Sequence, residues 1–74
     1  DHIRLKLFRW AELVEYAGIR EVRKIPGFHD EQLKGNRLGE RSIRLSQAYR
    51  AIYLERPNES LVIILILEVT KHEY

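Results

Sequence analysis

Two groups of side chains in this sequence could do chemistry. The first lies between Leu33 and Tyr53, where Lys34, Arg37, Arg41, Arg44 and Arg50 stand against a single acid, Glu40. Elsewhere eight basic residues face ten acidic ones, so a formal net charge of +2 conceals a basic segment on an acidic remainder. Cations gathered this way suit a polyanion such as nucleic acid. A solvated strand face with scattered arginines is the plainer account of the same charge. The second group closes the chain: Lys71, His72, Glu73 and Tyr74, four groups able to do acid–base work or hold phosphate. On spacing alone, a tail histidine with no role explains His72 as well as catalysis does.

The composition bounds what these residues can serve. A chain of 74 residues is one domain at most, and a domain of that size buries only about 60% of its unfolded surface. There is no cysteine, so neither a disulfide nor a thiolate metal site holds it together. The three histidines, His2, His29 and His72, lack zinc-ligand spacing, and no metal or cofactor is expected. The longest apolar run, Leu61 to Leu67, falls far short of the roughly 20 residues of a membrane-spanning helix. No signal-peptide pattern is present, and no membrane partner is expected.

The elements that must position these groups follow from periodicity. Ile3, Leu7, Trp10, Val14 and Ala17 form one helical face over residues 3–17, widened by Phe8 and Leu13. Asp1 suits the N-cap and Gly18 a left-handed C-cap. Trp10 reads as a core anchor. A second short helix over 19–25 ends at Pro26–Gly27, and the polar residues 28–32 read as a connecting loop with His29 at the surface. Residues 34–39 form a basic, turn-rich loop.

Alternation predicts strands over 41–46 and 48–55, with Ser42 and Arg44 pointing outward and a tight reversal at Ser46–Gln47. Arg50 shares a face with Ile52 and Leu54, and a guanidinium there needs an explanation because burying it unpaired is very costly. Residues 61–69 are nearly all apolar and read as a central strand covered on both sides. The expected fold is a single α+β domain over 1–74, an N-terminal helical hairpin packed on a small twisted antiparallel β-sheet of three strands.

This order of elements, with the stretches "LKGNRLGERSIRLSQAYRAIY" and the terminal "H-x-Y", resembles the RelE/HigB-type toxins of bacterial toxin–antitoxin systems, within the RelE/ParE superfamily. The likeness extends from about Trp10 to Tyr74. Relatives begin with a strand ahead of the helices, so the resemblance implies that a RelE-like first edge strand is missing here.

It also implies a cytoplasmic toxin: a metal-independent endoribonuclease that cuts mRNA, commonly in the ribosomal A site, and is silenced by a cognate antitoxin in a hetero-oligomer. Arg50 stands at the family's "YR" position, where the arginine contacts the scissile phosphate. Arg44 occupies an outward strand position that relatives often fill with a basic residue, whereas Ser42 departs from that pattern. His72 stands at the strand-end acid–base position, with Tyr74 near a terminal aromatic and Glu73 an alternative base. Lys34, Arg37, Arg41 and Lys71 would position the RNA, making binding salt-dependent.

Such cleavage uses the substrate's 2′-OH as nucleophile, a base to take its proton, an acid for the leaving 5′-oxygen and cations on the phosphorane. Histidine, with an ordinary pKa of about 6.5, can act as base or acid at neutral pH. Arginine offers the phosphorane a planar fork of donors. Two other functions fit the same elements. A gyrase-inhibiting toxin of the same fold tends to lack the strand-end acid–base residue, and a non-catalytic remnant binds RNA or protein without cleaving.

Overall fold

The structure is a computed structural model that describes residues 1–57 and 60–68. It is a small α+β protein, with an N-terminal helix packed on one face of an antiparallel sheet. Helix α1 (His2–Ala17) starts where Asp1 Oδ1 accepts a hydrogen bond from the Arg4 amide at 2.9 Å, which satisfies one of the donors every helix N-terminus leaves open. Gly18 ends it, with its own amide donating to Val14 O. Its φ of 86° and ψ of 153° lie outside the left-handed cap expected from the sequence. That region is essentially restricted to glycine, and it redirects the chain at once into α2 (Ile19–Val22).

The second helix is therefore a single turn and does not extend to residue 25. Pro26 disfavours a helical conformation in the residue before it, and Ile25 is extended, with φ −74° and ψ 115°. The chain closes instead through short-range bonds, Lys24 N to Glu21 O and Ile25 N to Val22 O, before a 3₁₀ turn at Pro26–Phe28. The helical hairpin thus has one long arm and one short one.

Among the described residues four strands form the sheet in sequence order, all antiparallel: β1 (Glu31–Gln32), β2 (Glu40–Arg44), β3 (Tyr49–Glu55) and β4 (Leu61–Glu68). β1 comes from residues expected to be loop; with two residues, it is too short to show a period. At the β2–β3 reversal Ser46 Oγ accepts from the amides of Ala48 and Tyr49, which fixes the turn.

Residues 61–69 read as a central strand; among the described residues β4 pairs with β3 and stands last in the strand order. Its unbroken apolar run hides a bulge: Ile52 pairs with Leu65, but Tyr53 pairs with Ile63. The extra residue shifts the alternation, so Ile63 and Ile66 fall on the same face although they are three apart. Both are exposed, at 38% and 43%.

The core lies between α1, α2, the Pro26–Phe28 turn and one sheet face. Trp10, Ile19, Val22, Phe28, Ile43, Leu45, Ala51 and Tyr53 are buried together, and Trp10 meets Tyr53 with ring centroids 5.0 Å apart. Trp10 is the anchor its sequence position suggested. Phe8 is not part of the stripe: two residues from Trp10 on a helix of 3.6 residues per turn, it projects to the far side and is 56% exposed. Leu13 sits at the rim at 36%. Among the described residues no helix is long and apolar enough to cross a membrane.

This rotation of α1 is testable by paired substitutions. Trp10→Ala should cost about 3–5 kcal/mol, a large share of a small domain's total stability. Phe8→Ser should stay within about 0.5 kcal/mol of wild type. Urea denaturation followed by circular dichroism measures both, and comparable losses would show that the helix faces the sheet differently.

Candidate functional site

The two sheet faces carry different polar networks, and both begin in the same short segment. In extended chain, neighbouring side chains point to opposite faces. Asp30 accordingly reaches the helix side, while Glu31, paired with Ser42, lies on the other. One acidic dipeptide supplies a counter-ion to each face.

On the helix side the Asp30 carboxylate is buried, its side chain only 1% exposed. Arg41 Nε donates to its Oδ1 at 2.6 Å and the Tyr53 hydroxyl to its Oδ2 at 2.5 Å. Arg23 adds an ion pair to Asp30 at 4.0 Å and donates to Tyr53 Oη and to Glu55. Burial first, and then the hydrogen bond to Asp30, push the Tyr53 phenol from its ordinary 10 up to about 12, against the opposing influence of Arg23. This network sits beneath the helices and ties the 23–30 segment to β2 and β3. Arg41, expected to hold RNA, is committed here and stands on the opposite face from Arg44.

On the other face, Arg50 answers the question its position posed. Its side chain runs from β3 across β2 to β1. Nε donates to Ser42 Oγ at 2.9 Å, and Nη2 to His29 O at 2.8 Å and to Ser42 O at 3.3 Å. Glu31 Oε1 lies 3.3 Å from Nη2 and supplies the opposite charge. The guanidinium is 7% exposed. Ser42, expected to point to solvent, is fully buried because it lies beneath this side chain. His29 itself is exposed, and its backbone carries the function: a left-handed conformation, φ 46° and ψ 54°, turns its carbonyl to Arg50. Its Nε2 stands 3.6 Å from the same Glu31 oxygen.

Arg44 is directly opposite Arg50 in the β2–β3 register. Like charges so placed repel. Arg44 is exposed and makes no ion pair with a described residue. A third cation comes from α1: Lys6 Nζ donates to Gly27 O at 2.9 Å and lies 5.5 Å from the Phe28 ring centroid. Its ammonium is held below the ordinary lysine value, by partial burial first and then by Arg44 and Arg50. Arg44 and Arg50 thus stand opposite each other on this face with Glu31 as a counter-ion to Arg50, and Lys6 feels both from the helix side. An oxyanion placed there would relieve the repulsion and accept charge-assisted hydrogen bonds.

Of the expected site residues, the structure brings Arg44 and Arg50 together. Lys34 and Arg37 are exposed in the loop before β2, with Arg37 bonded to Glu40 at 2.8 Å. Lys71, His72, Glu73 and Tyr74 lie outside the described residues. Lys6, Glu31, Asp30 and the His29 carbonyl were not singled out in the sequence. The available signal was an acidic pair, Asp30–Glu31, immediately ahead of a basic segment. Among the described residues no group of acids and histidines could hold a metal ion. No family model matches the chain, and neither do any curated proteins or solved structures.

Two outcomes test these networks. Ser42→Ala removes the acceptor of a buried guanidinium and should cost about 1.5–3 kcal/mol by denaturant titration. Tyr53→Phe should cost about 1–3 kcal/mol near neutral pH. The folded state holds the Tyr53 proton more tightly than the unfolded one, so that contribution is intact below pH 10 and is lost as pH rises through about 12. The stability gap between wild type and Tyr53→Phe should therefore close in alkali, and a gap that stays constant would refute the network.

Proposed function

We propose that this chain is a RelE/HigB-type toxin, a metal-independent endoribonuclease that cleaves mRNA in the cytoplasm at the ribosomal A site and is silenced by a cognate antitoxin. The observation that carries the reading is the cross-strand pair Arg44–Arg50. Two opposed guanidinium groups destabilise a strand pair unless an anion sits between them, and the scissile phosphate of RNA is such an anion. The stretch "SIRLSQAYRAIY" supplies both arginines, one from each arm of the β2–β3 hairpin.

In this mechanism Arg44 and Arg50 stabilise the charge that develops on the phosphorane as the 2′-OH attacks. Wherever the chain end brings them, His72 and Tyr74 are the candidates for moving protons to and from the 2′- and 5′-oxygens, with Glu73 the alternative base. Lys34, Arg37, Lys71 and Lys6 hold flanking phosphates. The RelE-like form of the sheet belongs to the same proposal.

One observation favours a second reading. The Arg50 guanidinium is already engaged by Ser42, His29 O and Glu31, as it would be in a binding module that holds RNA or protein without cleaving.

Primer extension on an mRNA programmed into ribosomes separates the two. Wild-type protein should cut within codons. Arg44→Ala, which removes an exposed side chain and should leave stability within about 0.5 kcal/mol, should slow cleavage by about 10²-fold. His72→Ala should slow it by about 10²–10⁴-fold. RNA binding without cuts from the wild-type protein would support the binding module and sink the nuclease.

A further inference from the structure

A buried guanidinium needs a counter-charge at all times, including before any ligand arrives. Among the described residues the counter-charge comes from Glu31, and three features make it exchangeable. Glu31 lies on a two-residue edge strand, its side chain 40% exposed, so it has solvent to swing into. Three further Arg50 contacts, to Ser42 Oγ, Ser42 O and His29 O, are fixed by backbone and by a buried hydroxyl. They hold the fork in place when the carboxylate leaves. Arg44, opposite Arg50 in the strand register, adds a second cation on the same face.

We infer that Glu31 occupies the place of a substrate phosphate, an internal competitor that a phosphodiester must displace to reach Arg50. The inference rests on the polyanion reading above and adds to it a residue that controls access to the site. A carboxylate and a phosphate present similar oxygen pairs to a guanidinium, so the exchange preserves its hydrogen bonding. A phosphodiester also reaches Arg44, which makes no ion pair with a described residue. Free Arg50 never forms, and the buried charge remains compensated throughout.

The test is a binding titration of the full chain with a fluorescently labelled, single-stranded RNA that is 2′-O-methylated throughout, so it binds but cannot be cut. Glu31→Gln keeps an acceptor for Arg50 while removing the competing charge. It should bind about five- to tenfold tighter than wild type, with a salt dependence steeper by about 0.7 in log–log slope, one additional phosphate contact. Glu68→Gln is the control: Glu68 pairs with Tyr49, beside Arg50 in sequence but on the opposite sheet face. It should change affinity less than about twofold, with no change in slope.

Wild type and Glu31→Gln binding alike, or Glu68→Gln tightening binding as much, would overturn the inference while leaving RNA binding intact. Absence of RNA binding by every variant would overturn both the inference and the polyanion reading. Should Glu31→Gln fail to fold by circular dichroism, Glu31→Asp retains the charge but draws it back from Arg50. Tighter RNA binding by that variant supports the exchange, and unchanged binding refutes it.

Discussion

A buried arginine on a sheet of four short strands is the constraint to which the other face-to-face contacts answer. Left unpaired, the Arg50 guanidinium would cost several kcal/mol, as much as many domains of this size have in total. It is stabilised by acceptors from three separate places: the Ser42 hydroxyl and carbonyl in β2, the His29 carbonyl before β1, and the Glu31 carboxylate in β1. These contacts tie three strands together across one face. They also account for two local oddities, a histidine in the left-handed region and an edge strand of only two residues.

The Asp30–Glu31 pair couples this face to the opposite one. Asp30 accepts from Arg41 and Tyr53 beneath the helices, and Tyr53 in turn packs on Trp10. Since neighbouring residues in extended chain face opposite ways, moving either acid by one position would leave a buried cation uncompensated on one face and add an acid to the other. The register of β1 is thus set by electrostatics, where longer strands rely on hydrophobic alternation.

Charge compensation is unequal on the two faces. Arg41 and Arg23 are bound into the network under the helices. On the other face, Arg44 stands opposite Arg50 and makes no ion pair with a described residue. The contrast also separates two roles for arginine that composition treats alike: Arg23, Arg41 and Arg50 are held by acceptors within the fold, and Arg44 is exposed.

The sequence by itself determined the long helix, its cap at Asp1, the anchor at Trp10 and the β2–β3 hairpin, because each rests on local periodicity or turn chemistry. It also marked Arg50, since an arginine on an apolar strand face must be compensated somewhere. The tertiary structure alone decided what compensates it, because the partners lie 8 to 21 residues away and only strand pairing brings them together. It also revealed the bulge in β4. A continuous apolar run carries no period from which a bulge can be read; that depends on the strand beside it.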